Sequence, residues 1–191
     1  MKIKFHITVA IFALFLVITS CKGKEKETIN SNTSNETVIK KETVDAPFFY
    51  VTLTAKFSKW DKLHMYYLSE QSDEYSGERK IEKEVIPNGG FQEIKFELKE
   101  IVYPYNIRLD LGTNKEQPPV LIEECVLHYG NETFKIKGKD LNKYFHFNKG
   151  VEVNSDSLTF TLKTFKRGKI DIYDPFIRGN QALNKVLETK L

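Results

Sequence analysis

From Phe48 onward, apolar residues recur at every second position. Phe49, Val51, Leu53, Ala55 and Phe57 share one face, and Tyr50, Thr52, Thr54 and Lys56 share the other. A period of two with one apolar face is the pattern of a half-buried β-strand. The same alternation sets Ile94, Phe96 and Leu98 against Glu93, Lys95 and Glu97, and Ile107, Leu109 and Leu111 against Asn106, Arg108 and Asp110. Strands are also predicted over Leu63–Leu68, Lys80–Ile86, Leu121–Tyr129, Thr133–Lys137, Tyr144–Phe147, Leu158–Phe165 and Lys169–Tyr173. Gly, Asn or Pro separates most of them; Ser69–Arg79 reads as a polar loop and Pro87-Asn88-Gly89-Gly90 as a tight turn. About ten short strands with turns every 8–12 residues predict an all-β fold, an antiparallel β-sandwich or jelly roll, over residues 46–178. No long helical period separates the strands, which argues against an α/β fold. Only residues 179–191 carry a helical pattern: Leu183, Val186, Leu187 and Lys190 or Leu191 recur at helical spacing behind a capping Asn180. Such a short amphipathic helix either lies on the sandwich or is offered to a partner.

The first 45 residues follow different rules. Lys2 and Lys4 precede an apolar run, Ile7–Ile18, which ends in Leu16-Val17-Ile18-Thr19-Ser20-Cys21. As a helix that run would be about 18 Å long, against roughly 30 Å of bilayer hydrocarbon, so it is too short for a permanent span. Basic start, apolar centre and small residues before a cleavage point are the three parts of a secretory signal. The segment resembles the lipobox of bacterial lipoproteins, which implies a signal peptide at 1–20 and lipidation of Cys21. Several acyl chains on that residue would anchor the chain stably, as one alone does not. Lys22 stands where a retention-signalling aspartate stands in enterobacterial lipoproteins, so the resemblance points to the outer membrane. Residues 21–45 are rich in Lys, Glu, Asn, Ser and Thr. They read as the anchor and a disordered linker, because so little apolar surface does not offset the entropy of ordering.

Processing changes the charge. The 29 basic and 26 acidic residues give +3, and loss of Lys2 and Lys4 reduces this to +1. The charges are interspersed, so no basic stripe supplies the counterion release that nucleic-acid binding draws on. Of the two cysteines, Cys21 is taken by lipid, which leaves Cys125 as a core thiol on a strand face with Leu121, Leu127 and Tyr129. The sequons at Asn32, Asn35 and Asn131 read as chance in a bacterial chain. Asp156-Ser157-Leu158 resembles the short O-glycosylation signal of Bacteroidota.

Catalytic signatures are absent: there is no Gly-x-Ser-x-Gly, His-Glu-x-x-His or phosphate-cradling glycine loop. Glu123 and Glu124 are strand neighbours and point to opposite faces, and His64, His128 and His146 lack metal-ligand spacing. Arg108 and Asp110 leave one face of one strand and can meet, either as an ion pair that pins the loop from Gly112 to Pro119 or as part of a polar site with Asp174. Asp110 and Asp174, with loop carbonyls, supply the oxygen ligands that calcium takes. Trp60, beside Asp61 at a strand-to-strand turn, is either a plug for the core or a stacking platform for a sugar ring.

The chain order carries a second resemblance. Phe49–Phe57 leads to Trp60-Asp61, then to His64-Met65-Tyr66-Tyr67, Phe91–Leu98, Ile107-Arg108-Leu109-Asp110-Leu111-Gly112 and, late, Tyr173-Asp174-Pro175-Phe176. This resembles the β-sandwich domain on the extracytoplasmic side of some bacterial membrane glycosyltransferases and similar stand-alone lipoproteins. Leu111 stands where that family often has proline. The resemblance implies a jelly-roll-like module with a link to glycans and brings no catalytic site. The expectation is therefore a monomeric, non-enzymatic envelope lipoprotein binding a glycan or an envelope protein through Trp60, Asp61, Arg108, Asp110 and Asp174. An accessory subunit of an envelope complex is the alternative, and a hydrolase a distant third.

Overall fold

The computed structural model describes residues 48–99, 101–154 and 158–191. The signal segment, Cys21, the linker to residue 45, Asn32, Asn35 and Asp156-Ser157 lie outside the described residues. Within them the chain forms β1 (Phe49–Lys56), β2 (Asp61–Leu68), β3 (Lys80–Val85), β4 (Gln92–Glu97), β5 (Asn106–Asp110), β6 (Val120–Tyr129) and β7 (Glu132–Lys137). After a short helix, α1 (Leu141–Tyr144), come β8 (Phe145–Phe147), β9 (Val151–Asn154), β10 (Thr159–Leu162), β11 (Phe165–Arg167), β12 (Ile170–Ile172), β13 (Phe176–Gly179) and the terminal helix α2 (Gln181–Thr189).

The pairings are antiparallel. One sheet runs β4-β1-β6-β10-β9 with β7 also on β6, a second runs β3-β2-β5-β13-β8, and β11 and β12 form a separate hairpin. Phe49, Val51, Leu53, Ala55 and Phe96 of the first sheet share one buried cluster with Leu63, Met65, Ile107, Leu109 and Ile177 of the second. That shared core makes the fold a β-sandwich.

Three connections switch sheets at one end of the sandwich: 57–60 between β1 and β2, 86–91 between β3 and β4, and 111–119 between β5 and β6. The register puts them side by side, because Asp61 pairs with Val85, Ala55 with Gln92 and His64 with Asp110.

Strand β6 departs from the alternation. Thr54 pairs with Glu124 but Ala55 pairs with Ile122, so Glu123 is an extra, bulged residue. Ile122 and Cys125, three apart, therefore both point into the core, and Leu121 is turned away from the Cys125 face on which strict alternation puts it. Gly138 packs onto this bulge so closely that a Cβ there would meet the Ile122 carbonyl oxygen at 2.0 Å.

Helix α2 forms where its spacing predicts. Asn180 caps it, its side chain accepting from the Ala182 and Leu183 amides at 2.8 and 3.3 Å, and Leu183, Val186 and Leu187 are buried. The Tyr103 hydroxyl donates to the Leu187 carbonyl. The apolar stripe is thus spent on the sandwich itself and not held out to a partner. Strands β9 and β13 and helix α1, none longer than four residues, are too short for a period to show. Gly179 ends β13 instead of opening the helix, and a Cβ there would lie 2.5 Å from Asn106 Oδ1.

Candidate functional site

The crossover end is built around Asp61. This carboxylate is 0% exposed, and its Oδ1 accepts from the backbone amides of Lys62 at 2.8 Å, Thr113 at 2.6 Å and Asn114 at 3.0 Å. Its Oδ2 accepts from Gln117 Nε2 at 3.0 Å. A buried carboxylate is tolerable only when its lone pairs are so occupied. Gly112 is required beside it, since a Cβ there would come within 2.5 Å of Oδ2.

Gln117, also buried, completes the staple. Its Oε1 accepts from the Ser58 and Lys59 amides at 3.2 and 2.9 Å, and its Nε2 also donates to the Lys59 carbonyl at 3.0 Å. Asn114 Nδ2 donates to the Trp60 carbonyl at 2.9 Å, and the Tyr173 hydroxyl donates to the Asn114 carbonyl at 2.8 Å. Burial pushes that phenol up to about 12. The loop between β5 and β6 is therefore pinned by Asp61 and Gln117, not by the Arg108–Asp110 pair as the sequence suggests. Asp61 is wholly buried and bonded to the backbone of the turn, so it positions the turn and does not face a ligand.

Trp60 is the opposite case. Its backbone is held on both sides, yet its side chain is 47% exposed, so it does not plug the core. The register sets Ile86, 69% exposed, next to it, and Phe91, 47% exposed, on the neighbouring crossover. Lys59 and Glu116 form a 3.1 Å ion pair at the rim.

Arg108, Asp110 and Asp174 do meet, on the outer face of the second sheet. Arg108 Nε and Nη2 donate to the two oxygens of Asp110 at 2.6 and 3.0 Å, and Nη2 reaches Asp174 Oδ1 at 2.9 Å. The guanidinium lies 3.8 Å from the Phe176 ring centroid, a cation–π contact, with Tyr66 beyond. Burial raises the Asp110 carboxyl more than the bidentate Arg108 lowers it, and nearby Asp174 adds to the rise. The positive charge between the aspartates is thus Arg108 itself, and a calcium ion there would have to displace it. Among the described residues, no group of three or more His, Cys, Asp or Glu side chains converges as a metal site.

The two clusters touch through adjacent residues, Tyr173 on the stapled loop and Asp174 on Arg108. Ile86, Phe91 and Gln117 escape the sequence reading for different reasons. Phe91 is out of phase with Ile94 and Phe96, and Ile86 directly follows the inward Val85, so strand phase alone marks both as outward. Gln117 carries no periodic signal at all.

Set against known families, curated proteins and solved structures, the chain matches none. Its site must be read from its own residues.

Proposed function

We propose that this chain is a lipid-anchored cell-envelope protein, seated at the outer membrane through Cys21, whose β-sandwich binds glycan without catalysis. The observation that carries the binding site is Trp60: a half-exposed indole on a turn whose flanking backbone is fixed by Asn114, Asp61 and Gln117. Fixing the backbone that carries an exposed aromatic ring lowers the ordering cost of binding in advance. Its face offers apolar surface to pyranose C–H groups, and the Lys59–Glu116 pair offers hydroxyls their partners. The engagement of Asp110 and Asp174 with one guanidinium supports a non-enzymatic role, since neither is free to act as an acid or base. The resemblance to extracytoplasmic domains of membrane glycosyltransferases points the same way. The test is electrophoresis through polysaccharide-containing gels: a subset of glycans should retard the protein, Trp60→Ala should abolish this and Trp60→Phe should retain part. No retardation across a broad panel would remove the carbohydrate reading.

A second reading draws on Ile86 and Phe91. Three large exposed apolar side chains at one end suit a protein contact within an envelope complex. It predicts a co-purifying membrane partner lost with Ile86→Ser, a change that leaves the sugar platform in place.

A further inference from the structure

The opposite end of the second sheet holds a cavity of about 540 Å3 between the start of α2, the start of β5 and the loop after β2. Its wall includes Gln71, Tyr75, His146, Arg178, Gln181 and Asn184 and, among the described residues, no carboxylate. In a chain with 26 acidic residues interspersed with bases, a cavity with an arginine and no acid is a local departure. Strand register sharpens it. Tyr66, Arg108, Arg178 and His146 are successive cross-strand partners on β2, β5, β13 and β8, so two arginines stand directly opposite each other. Like charges so placed repel. Arg108 is neutralised by Asp110 and Asp174, which lie toward the Trp60 end. Arg178 is exposed and, among the described residues, has no carboxylate within ion-pair distance.

The remaining groups describe the rest of a ligand. Asn106 is consumed internally, accepting from the Tyr75 hydroxyl at 2.9 Å and donating to the Gly179 carbonyl at 3.1 Å, which fixes the cavity floor. Gln71 and Gln181 at the rim are exposed amides with both donors and acceptors. Among the described residues, Leu68 is the one aliphatic side chain in the wall, too little apolar surface for peptide side chains. The amides of Ala182 and Leu183 are already capped by Asn180, so the positive character comes from Arg178 and not from the helix terminus.

We propose that this cavity binds an acidic saccharide unit, its carboxylate on Arg178 and its hydroxyls on the surrounding amides and phenol. The site stands whether or not Trp60 binds sugar, because the two lie at opposite ends of the sheet. The experiment is a titration of the full chain with trigalacturonate, followed by amide and arginine side-chain NMR shifts. Expected are shifts confined to Arg178, Gln181 and their neighbours, at least tenfold weaker binding for Arg178→Gln, unchanged binding for Trp60→Ala, and weakening with salt. Equal binding of an uncharged trisaccharide, equal binding by Arg178→Gln, tighter binding of a glutamate-rich peptide, or no shift at millimolar trigalacturonate would each overturn the proposal. Arg178 is exposed, so its replacement leaves the fold intact and a loss reads as loss of the site.

Discussion

Gln117 donates its side-chain amide to Asp61 Oδ2 at 3.0 Å, across 56 positions of sequence and out of reach of solvent. This bond ties the β5–β6 loop to the turn that carries Trp60. Asp61→Ala leaves the amides of Thr113 and Asn114 and the Gln117 side chain without their acceptor. With an orphaned buried donor costing roughly 1–3 kcal/mol, and Gln117 the buried one of the three, a loss of about 2 kcal/mol or more is expected in urea denaturation. Gln117→Ala should cost less and should also blunt any ligand response of Trp60 fluorescence. An unchanged denaturation midpoint for Asp61→Ala would refute the staple.

Gly138 is the second position at which the fold has no room. Alanine there would push a Cβ to 2.0 Å from the Ile122 carbonyl, on backbone that cannot swing away. Gly138→Ala should destabilise on the order of 2–4 kcal/mol, as overpacking against a fixed wall does. Deleting the bulged Glu123 instead leaves Ile122 and Cys125 two apart and both in core phase, so that deletion should cost less than Gly138→Ala. Thermal melts of the two variants decide this.

The Arg108 cluster makes a prediction whose size depends on pH. Because burial raises the Asp110 pKa in the folded state, the stability linked to its protonated form is present at low pH and is lost as pH rises through the raised value. Arg108→Ala removes the main partner that favours ionisation, leaving only the weaker pull of His64, and leaves Asp110 beside Asp174. The variant should therefore be markedly less stable than the parent at pH 7, with the gap narrowing on acidification as Asp110 protonates. A gap that stays constant as the pH falls would contradict the assigned cause.

His128 titrates with the opposite sign. It stacks on Tyr50 with ring centroids 4.1 Å apart and faces Thr52, Lys95 and Glu93. Burial first, then Lys95, lowers its pKa below the ordinary 6.5, against the opposing pull of Glu93. A depressed folded pKa means a contribution present above the unfolded value and lost as pH falls through the folded one. Stability should decline on acidification through that window, and His128→Phe should flatten the slope. The imidazole shift followed by NMR gives the midpoint directly.

Cys125 is wholly buried beside the bulge, and burial pushes its thiol up to about 12. With Cys21 replaced by serine, the native protein should resist iodoacetamide at pH 8 and react once unfolded in urea. Rapid native labelling would mean that β6 opens far more readily than its packing implies.

Much of the sandwich is legible from strand phase, because eight-residue strands such as β1 repeat their signal four times on the buried face. The Arg108–Asp110 pair is legible for the same reason, lying two apart on one strand. The bulge at Glu123 is not, since one inserted residue shifts the phase without altering composition. Nor is the role of Asp61. Beside Trp60 in sequence it looks like a second ligand group, but its partners at 113, 114 and 117 arrive only through folding. Ile86 and Phe91 sit between these extremes, betrayed by phase but hidden at the shoulders of a turn.

Strand β1 is about 26 Å long at roughly 3.3 Å per residue, with Phe48 before its first residue and the Trp60 crossover beyond its last. The described chain begins at the Phe48 end, and the indole sits at the other end of the strand. A tether attached on the Phe48 side would therefore pivot at the end of the sandwich away from Trp60. Moving the same tether to the C-terminus would reposition the pivot beside α2. Swapping the anchor from one terminus to the other thus becomes a way to ask whether capture depends on the reach of the tip or only on its surface.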